Sequence, residues 1–177
     1  VSEVVLSRLD AGTVLVLVVL SFGFIDGARR GLLGASFITL ATLVALAVTS
    51  SQYYLVSRLI QFVLNLDERT CAVFGFSITL FAMLIVSYAA AGLLVRILKE
   101  KSVSGMSRLM GGLAGLLSIY LVVSVVLCLI LASPIDPLTS HVLSSGVLMA
   151  VVQSGPPLLR VVGVDLPEIL VVPSSQI

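Results

Sequence analysis

Long apolar stretches separated by short polar turns set the pattern of this chain. Three of them run for about 26 residues without a charge: 31–57, 70–95 and 109–135. A hydrocarbon core of about 30 Å takes about 20 helical residues, so each stretch holds one span with some tilt and none holds two. The first run, 11–25, is shorter. It reaches spanning length if its helix continues to Ala28, with Asp10 and Asp26 in the two interfaces. Lipid offers backbone N–H and C=O groups no partner outside the protein, and four strands cannot close a barrel, so the spans are helices. The pattern predicts an all-α fold: a polytopic membrane helical bundle of four transmembrane helices near 11–28, 31–50, 71–95 and 109–133. These make one domain over 1–135, followed by a tail over 136–177.

Two segments break the plain apolar pattern. Within 55–66 the polar residues Ser57, Arg58, Gln61 and Asn65 follow one another at intervals of one, three and four. They form one polar stripe on an otherwise apolar helix, which predicts a short amphipathic helix lying in the outer interface, the alternative being a simple extension of the second span. In the tail, Asp136 suits an N-cap and Pro137 the first turn, so a helix should start there. Its apolar stretch 147–152 should lean on the membrane or on the bundle, and Gly155-Pro156-Pro157 should end it. One or two short interfacial helices are therefore expected in the tail, and no fifth span.

Composition confirms the choice of solvent. Hydrophobic residues make up 59% of the 177 and charged residues 11%, with a mean hydropathy of +1.22. A soluble domain carries about 25% charged residues, and a chain of this length has too little interior to hide so much apolar surface from water. The start of the chain is expected to be a retained span and not a cleaved signal: Arg8 is offset by Glu3 and Asp10, and charged Asp26, Arg29 and Arg30 stand where a cleavage site would be.

Charge placement then orients the bundle. Six of the ten basic residues, Arg29, Arg30, Arg96, Lys99, Lys101 and Arg108, fall in the first and third loops. The positive-inside rule puts loops 26–30 and 96–108 in the cytoplasm and both termini outside. Seven of the nine acidic residues fall on the outer side. The net charge of +1 offers no general basic surface to nucleic acid.

Candidate chemistry is sparse. No ionisable residue lies well inside a span, whereas proton relays and ion paths in membranes normally need them. His141 is the one histidine, and Cys71 and Cys128 sit in apolar runs, so neither a metal site nor a cofactor site is expected. Ser140, Ser144 and Ser145 lie near His141, but there is no G-x-S-x-G turn and no evident orienting acid. No catalytic residues are expected. What the spans do offer is small residues at packing intervals, which mark contact faces between helices in lipid. Gly23, Gly27, Gly31 and Ala35 step by four. Ser107, Gly111, Gly115 and Ser118 fall within about 80° on a helical wheel. Thr39, Thr42 and Thr49 share one face of the second span. These rows predict a tight bundle, self-association, or both.

Two of these stretches also carry a family resemblance. Gly27-Ala-Arg-Arg-Gly31 resembles the G-x-x-R-G turn between the first two spans of the colicin V production protein family. Ser104-Gly-Met-Ser-Arg-Leu-Met-Gly-Gly-Leu-Ala-Gly115 resembles the family's second motif, which leads into G-x-x-x-G at the start of span four. The family usually has Asp where Ser107 stands. The resemblance covers about residues 10–130. It implies a bacterial inner-membrane protein associated with toxin production or export and with envelope function, and carries over to Gly27, Arg30, Gly31, Arg108, Gly111 and Gly115. The reading expected from residues and resemblance together is a non-enzymatic accessory or assembly factor. Its partners would be the lipid bilayer and a second copy or another membrane protein. The alternative is a small oligomeric channel or transporter whose threonine and serine faces line a polar path.

Overall fold

The computed structural model describes residues 11–65, 67–98, 105–133, 145–161, 163, 164 and 167. All of its elements are helices: α1 (Ala11–Leu64), α2 (Glu68–Leu98), α3 (Gly105–Ala132) and α4 (Gly146–Val161). Large apolar side chains stay exposed around the outside of the first three, among them Leu15, Phe22, Phe81, Val86 and Leu93. A helix apolar all round is solvated by lipid or by other helices. The chain is an all-α membrane helical bundle.

α1 holds two arms. Its one non-helical residue is Gly31, at φ 74° and ψ 178°, a backbone conformation open essentially to glycine alone. Packing on α3 shows that the chain reverses there. In the first arm Gly23 and Gly27 meet Gly115 and Gly111, so that arm runs antiparallel to α3. In the second arm Thr39 and Thr42 bond Ala114 and Ser118, so that arm runs parallel to it. Two arms that follow one helix in opposite directions form a hairpin. The first arm covers 11–30, about 30 Å at 1.5 Å per residue, which matches a bilayer core. By length alone, three helices (α1, α2 and α3) are candidate spans, and the reversal gives four arms of spanning length.

α2 runs antiparallel along the second arm. Gly75 lies against Ser57 and Val95 lies near Gly34, while the Tyr53 and Phe76 rings sit 5.8 Å apart. This contact changes the reading of 55–66. The helix runs without a break through Leu64, so this segment extends the second arm and is not a separate interfacial helix. Nothing between Ala47 and Leu64 breaks a helix, and Gly75 lets the α2 backbone hold the extension at Ser57. Asn65 then takes a positive φ of 49° and the chain turns into α2.

The tail also departs from expectation. A helix start at Asp136 falls outside the described residues. α4 runs straight through Gly155-Pro156-Pro157. Two prolines remove two backbone donors, yet Gly155 presses its backbone onto Ser124 of α3, closer than any Cβ would allow. Tertiary packing therefore carries the helix past its local breakers. The Ser124 hydroxyl donates to the Val151 carbonyl at 3.2 Å, and Tyr120 and Ser154 share a hydroxyl contact. Tyr120 lies near the middle of α3, so α4 leans on the bundle well below its end. Val16, Leu127, Cys128, Leu148, Val151 and Val152 form the apolar cluster beneath it.

Candidate functional site

The site grows from the reversal at Gly31. A Cβ on Gly111 would stand 2.6 Å from the Gly27 oxygen and 2.6 Å from the Gly31 carbonyl carbon, and one on Gly27 or Gly115 would meet backbone oxygen of the facing helix. Two backbones in direct contact are what rows of small residues permit in lipid, where close van der Waals packing drives association. Four residues singled out in the sequence, Gly27, Gly31, Gly111 and Gly115, are thus brought to one seam.

Ser107 stands at its end. The reversal leaves the first N–H groups of the second arm without helical partners, and the Ser107 hydroxyl accepts one of them, Leu32 N–H, at 3.0 Å. A residue of α3 thereby caps the second arm of α1. Further along the seam the hydroxyls of Thr42 and Ser118 lie 2.7 Å apart, both residues essentially inaccessible to solvent. Thr39 donates to its own Ala35 carbonyl and to the Ala114 carbonyl across the seam, each at 3.0 Å. Thr49 donates to Ala45 at 2.7 Å. Of the threonine face read from the sequence, Thr42 and Thr49 are fully buried in the protomer and Thr39 is partly buried. Tyr88 of α2 brings its hydroxyl to 3.4 Å from Thr42 and 3.5 Å from Ser118.

Arg30 does not reach across to α3. Its Nε donates to the Asp26 carboxylate at 2.7 Å, one helical turn back, with both side chains about 40% exposed. The i, i+4 spacing of that pair is legible in the sequence. Asp26 and Arg30 stand at the mouth of a cavity of about 280 Å³, walled by Phe22, Gly23, Gly27, Ile38, Gly115 and Ile119, with Tyr88 and Ser118 also on its lining.

The remaining basic residues sort by end. Gly27 beside Gly111, Leu32 beside Ser107 and Gly34 beside Val95 place Arg29, Arg30, Arg96 and Arg108 together at one end of the bundle. All four are exposed. Arg58 lies toward the opposite end, stacked over Tyr54 at 5.7 Å. Lys99, Lys101, His141 and Ser144 lie outside the described residues. Ser145 is buried and shares a hydrogen bond of 3.1 Å with Thr13, tying the start of α4 to the start of α1. Among the described residues no group of His, Cys, Asp and Glu is arranged to hold a metal.

The family model described as colicin V production protein matches residues 13–156. The chain belongs to the colicin V production protein family. The matched stretch takes in both arms of α1, all of α2 and α3, and α4 as far as its first proline. Both glycine motifs of the colicin V production fold lie within it, and so does most of the tail helix that α3 holds. Membership makes this a membrane protein related to toxin production. No curated protein and no solved structure matches the chain.

Proposed function

We propose that this member of the colicin V production family is a non-enzymatic accessory or assembly protein of the bacterial inner membrane, serving toxin production and export. The observation that carries the reading is the inward turn of its polar groups. A conducting path along Thr39, Thr42 and Thr49 needs those hydroxyls on a surface shared between protomers, whereas Thr42 and Thr49 are fully buried and bonded inside one protomer. Ser145, the one described member of the serine and histidine group in the tail, is buried against Thr13 and has a structural role. A tight scaffold with an apolar exterior suits assembly with other membrane proteins or with a second copy.

In this reading four arms cross the bilayer, loops 26–30 and 96–108 face the cytoplasm, and both termini are periplasmic. The clustering of Arg29, Arg30, Arg96 and Arg108 at one end supports that orientation through the positive-inside rule. The same basic end would meet anionic lipid or a cytoplasmic partner. The test has two arms. A periplasm-active reporter should be active when fused at the C-terminus and silent when fused after Lys101; the reverse pattern overturns the orientation. Purified protein in liposomes should conduct no ions or small solutes and should co-purify in mild detergent with itself or a defined membrane partner. Flux abolished by Thr42→Leu would instead establish the channel.

A further inference from the structure

We propose that the cavity behind Asp26 and Arg30 is a binding site for a phospholipid whose headgroup carries both a phosphate and a primary ammonium. The two charges stand side by side at its mouth and share one hydrogen bond, Arg30 Nε to an Asp26 carboxylate oxygen. A guanidinium has five N–H donors and a carboxylate about four acceptor sites. Among the described residues Arg30 has no hydrogen-bond partner besides Asp26, and its side chain is 41% exposed, so its terminal N–H groups are available to a phosphate. The second carboxylate oxygen suits an ammonium. A headgroup with a single negative charge satisfies only half of this pair.

Position and shape agree with a lipid. Asp26 and Arg30 lie in the last turns before the reversal, at the arginine-rich end, and so at headgroup depth. From there the cavity runs inward to Ser118, about 20 Å along α3 from Gly105, and to Tyr88, about 15 Å along α2 from Leu98, at 1.5 Å per residue. Its middle is apolar, with Phe22, Gly23 and Ile119 on its walls, and Phe22 is 69% exposed. The glycerol and the upper acyl chain would follow this wall. Tyr88 meets its protein neighbours only at 3.4 and 3.5 Å, long for an O–H···O bond. Its proton can therefore be donated to an ester carbonyl.

The inference makes a selective claim against simple electrostatics. Arg29, Arg96 and Arg108 beside the mouth would by themselves attract anionic headgroups. A built site for a zwitterion reverses that order. The experiment uses the full chain purified in detergent, exchanged into an equimolar mixture of phosphatidylethanolamine and phosphatidylglycerol, with retained lipids counted by native mass spectrometry. Phosphatidylethanolamine should be retained over phosphatidylglycerol by about fivefold, the ratio a half-exposed charge contact supplies. Asp26→Asn should bring the ratio near one, and Arg30→Gln should strip both lipids. Asp67→Asn, at the far end, should change nothing. Both test side chains lie outside the glycine seam, and an unchanged unfolding midpoint would show that the fold is kept. Millimolar glycerophosphoethanolamine, the headgroup without chains, should not displace the bound lipid. Equal retention of the two lipids, a preference for phosphatidylglycerol, an unmoved ratio in Asp26→Asn, or displacement by the soluble headgroup would each overturn the proposal.

Discussion

Replacing Gly111 with alanine adds one methyl group where the two arms of α1 and α3 touch backbone to backbone. The new Cβ would stand 2.6 Å from the Gly27 oxygen, 2.6 Å from the Gly31 carbonyl carbon and 2.7 Å from the Gly31 oxygen. Non-bonded heavy atoms rest at about 3.5 Å or more, so the helices must separate by roughly 1 Å. Overpacking of this kind costs about 1–3 kcal/mol. The bonds that flank Gly111, Leu32 to Ser107 and Thr39 to Ala114, both at 3.0 Å, stretch with it. At about 0.6 kcal/mol for each interhelical bond in a membrane they add roughly 1 kcal/mol. The better helix propensity of alanine returns about 1 kcal/mol. The net loss is therefore about 1–3 kcal/mol. Gly92 is the control, because among the described residues no atom beyond its own turn of helix backbone lies within 4 Å of its Cβ position. Gly92→Ala should be neutral or stabilising by up to about 1 kcal/mol. Reversible unfolding in mixed micelles of rising dodecyl sulfate content, followed by far-UV circular dichroism, measures both. If Gly111→Ala unfolds no earlier than the parent chain, the backbone contact at the seam is wrong.

Three further outcomes follow from single contacts. Ser107→Ala should cost about 1 kcal/mol as a lost N-cap, and Ser107→Asp should keep or exceed the parent stability because a carboxylate at a helix N-terminus also meets the dipole; the same unfolding assay reads both. Gly155→Ala should loosen α4 from α3 by about 1–3 kcal/mol and raise hydrogen exchange across 146–161. Adding Ser124→Gly should recover part of that protection, because the nearest remaining atom would be the Ser124 Cα, 3.8 Å away, while the bond to the Val151 carbonyl is lost. A double-mutant cycle between Thr42→Val and Ser118→Ala should give a coupling of about 0.6 kcal/mol in the unfolding assay, and a value near zero would remove their 2.7 Å bond as a stabilising contact.

Where sequence reasoning fell short, it did so for local reasons that distant packing overruled. Gly155-Pro156-Pro157 has every mark of a helix end, and the helix passes through it because Ser124, 31 residues earlier, receives the bare backbone of Gly155. The stripe of Ser57, Arg58, Gln61 and Asn65 has the form of a surface helix, and Gly75 holds it in line with the arm before it. Tyr88 gave no signal, since an aromatic in an apolar run is ordinary, and only the packing of α2 on the second arm carries its hydroxyl to Thr42 and Ser118.

What the sequence by itself determined was the solvent, the helical class and the sorting of charge. Those depend on sums over many residues: apolar runs of spanning length, and basic residues gathered in two loops. The two glycine rows were also legible, because small residues four apart share one face of any helix. That those rows face each other, that Ser107 caps the arm beginning after Gly31, and that Arg30 turns back to Asp26 were decided by the tertiary structure. The physical reason is that a helix fixes which residues share a face but not which helix that face meets. The partner is set by the one reversal at Gly31, which lays both arms of α1 along α3.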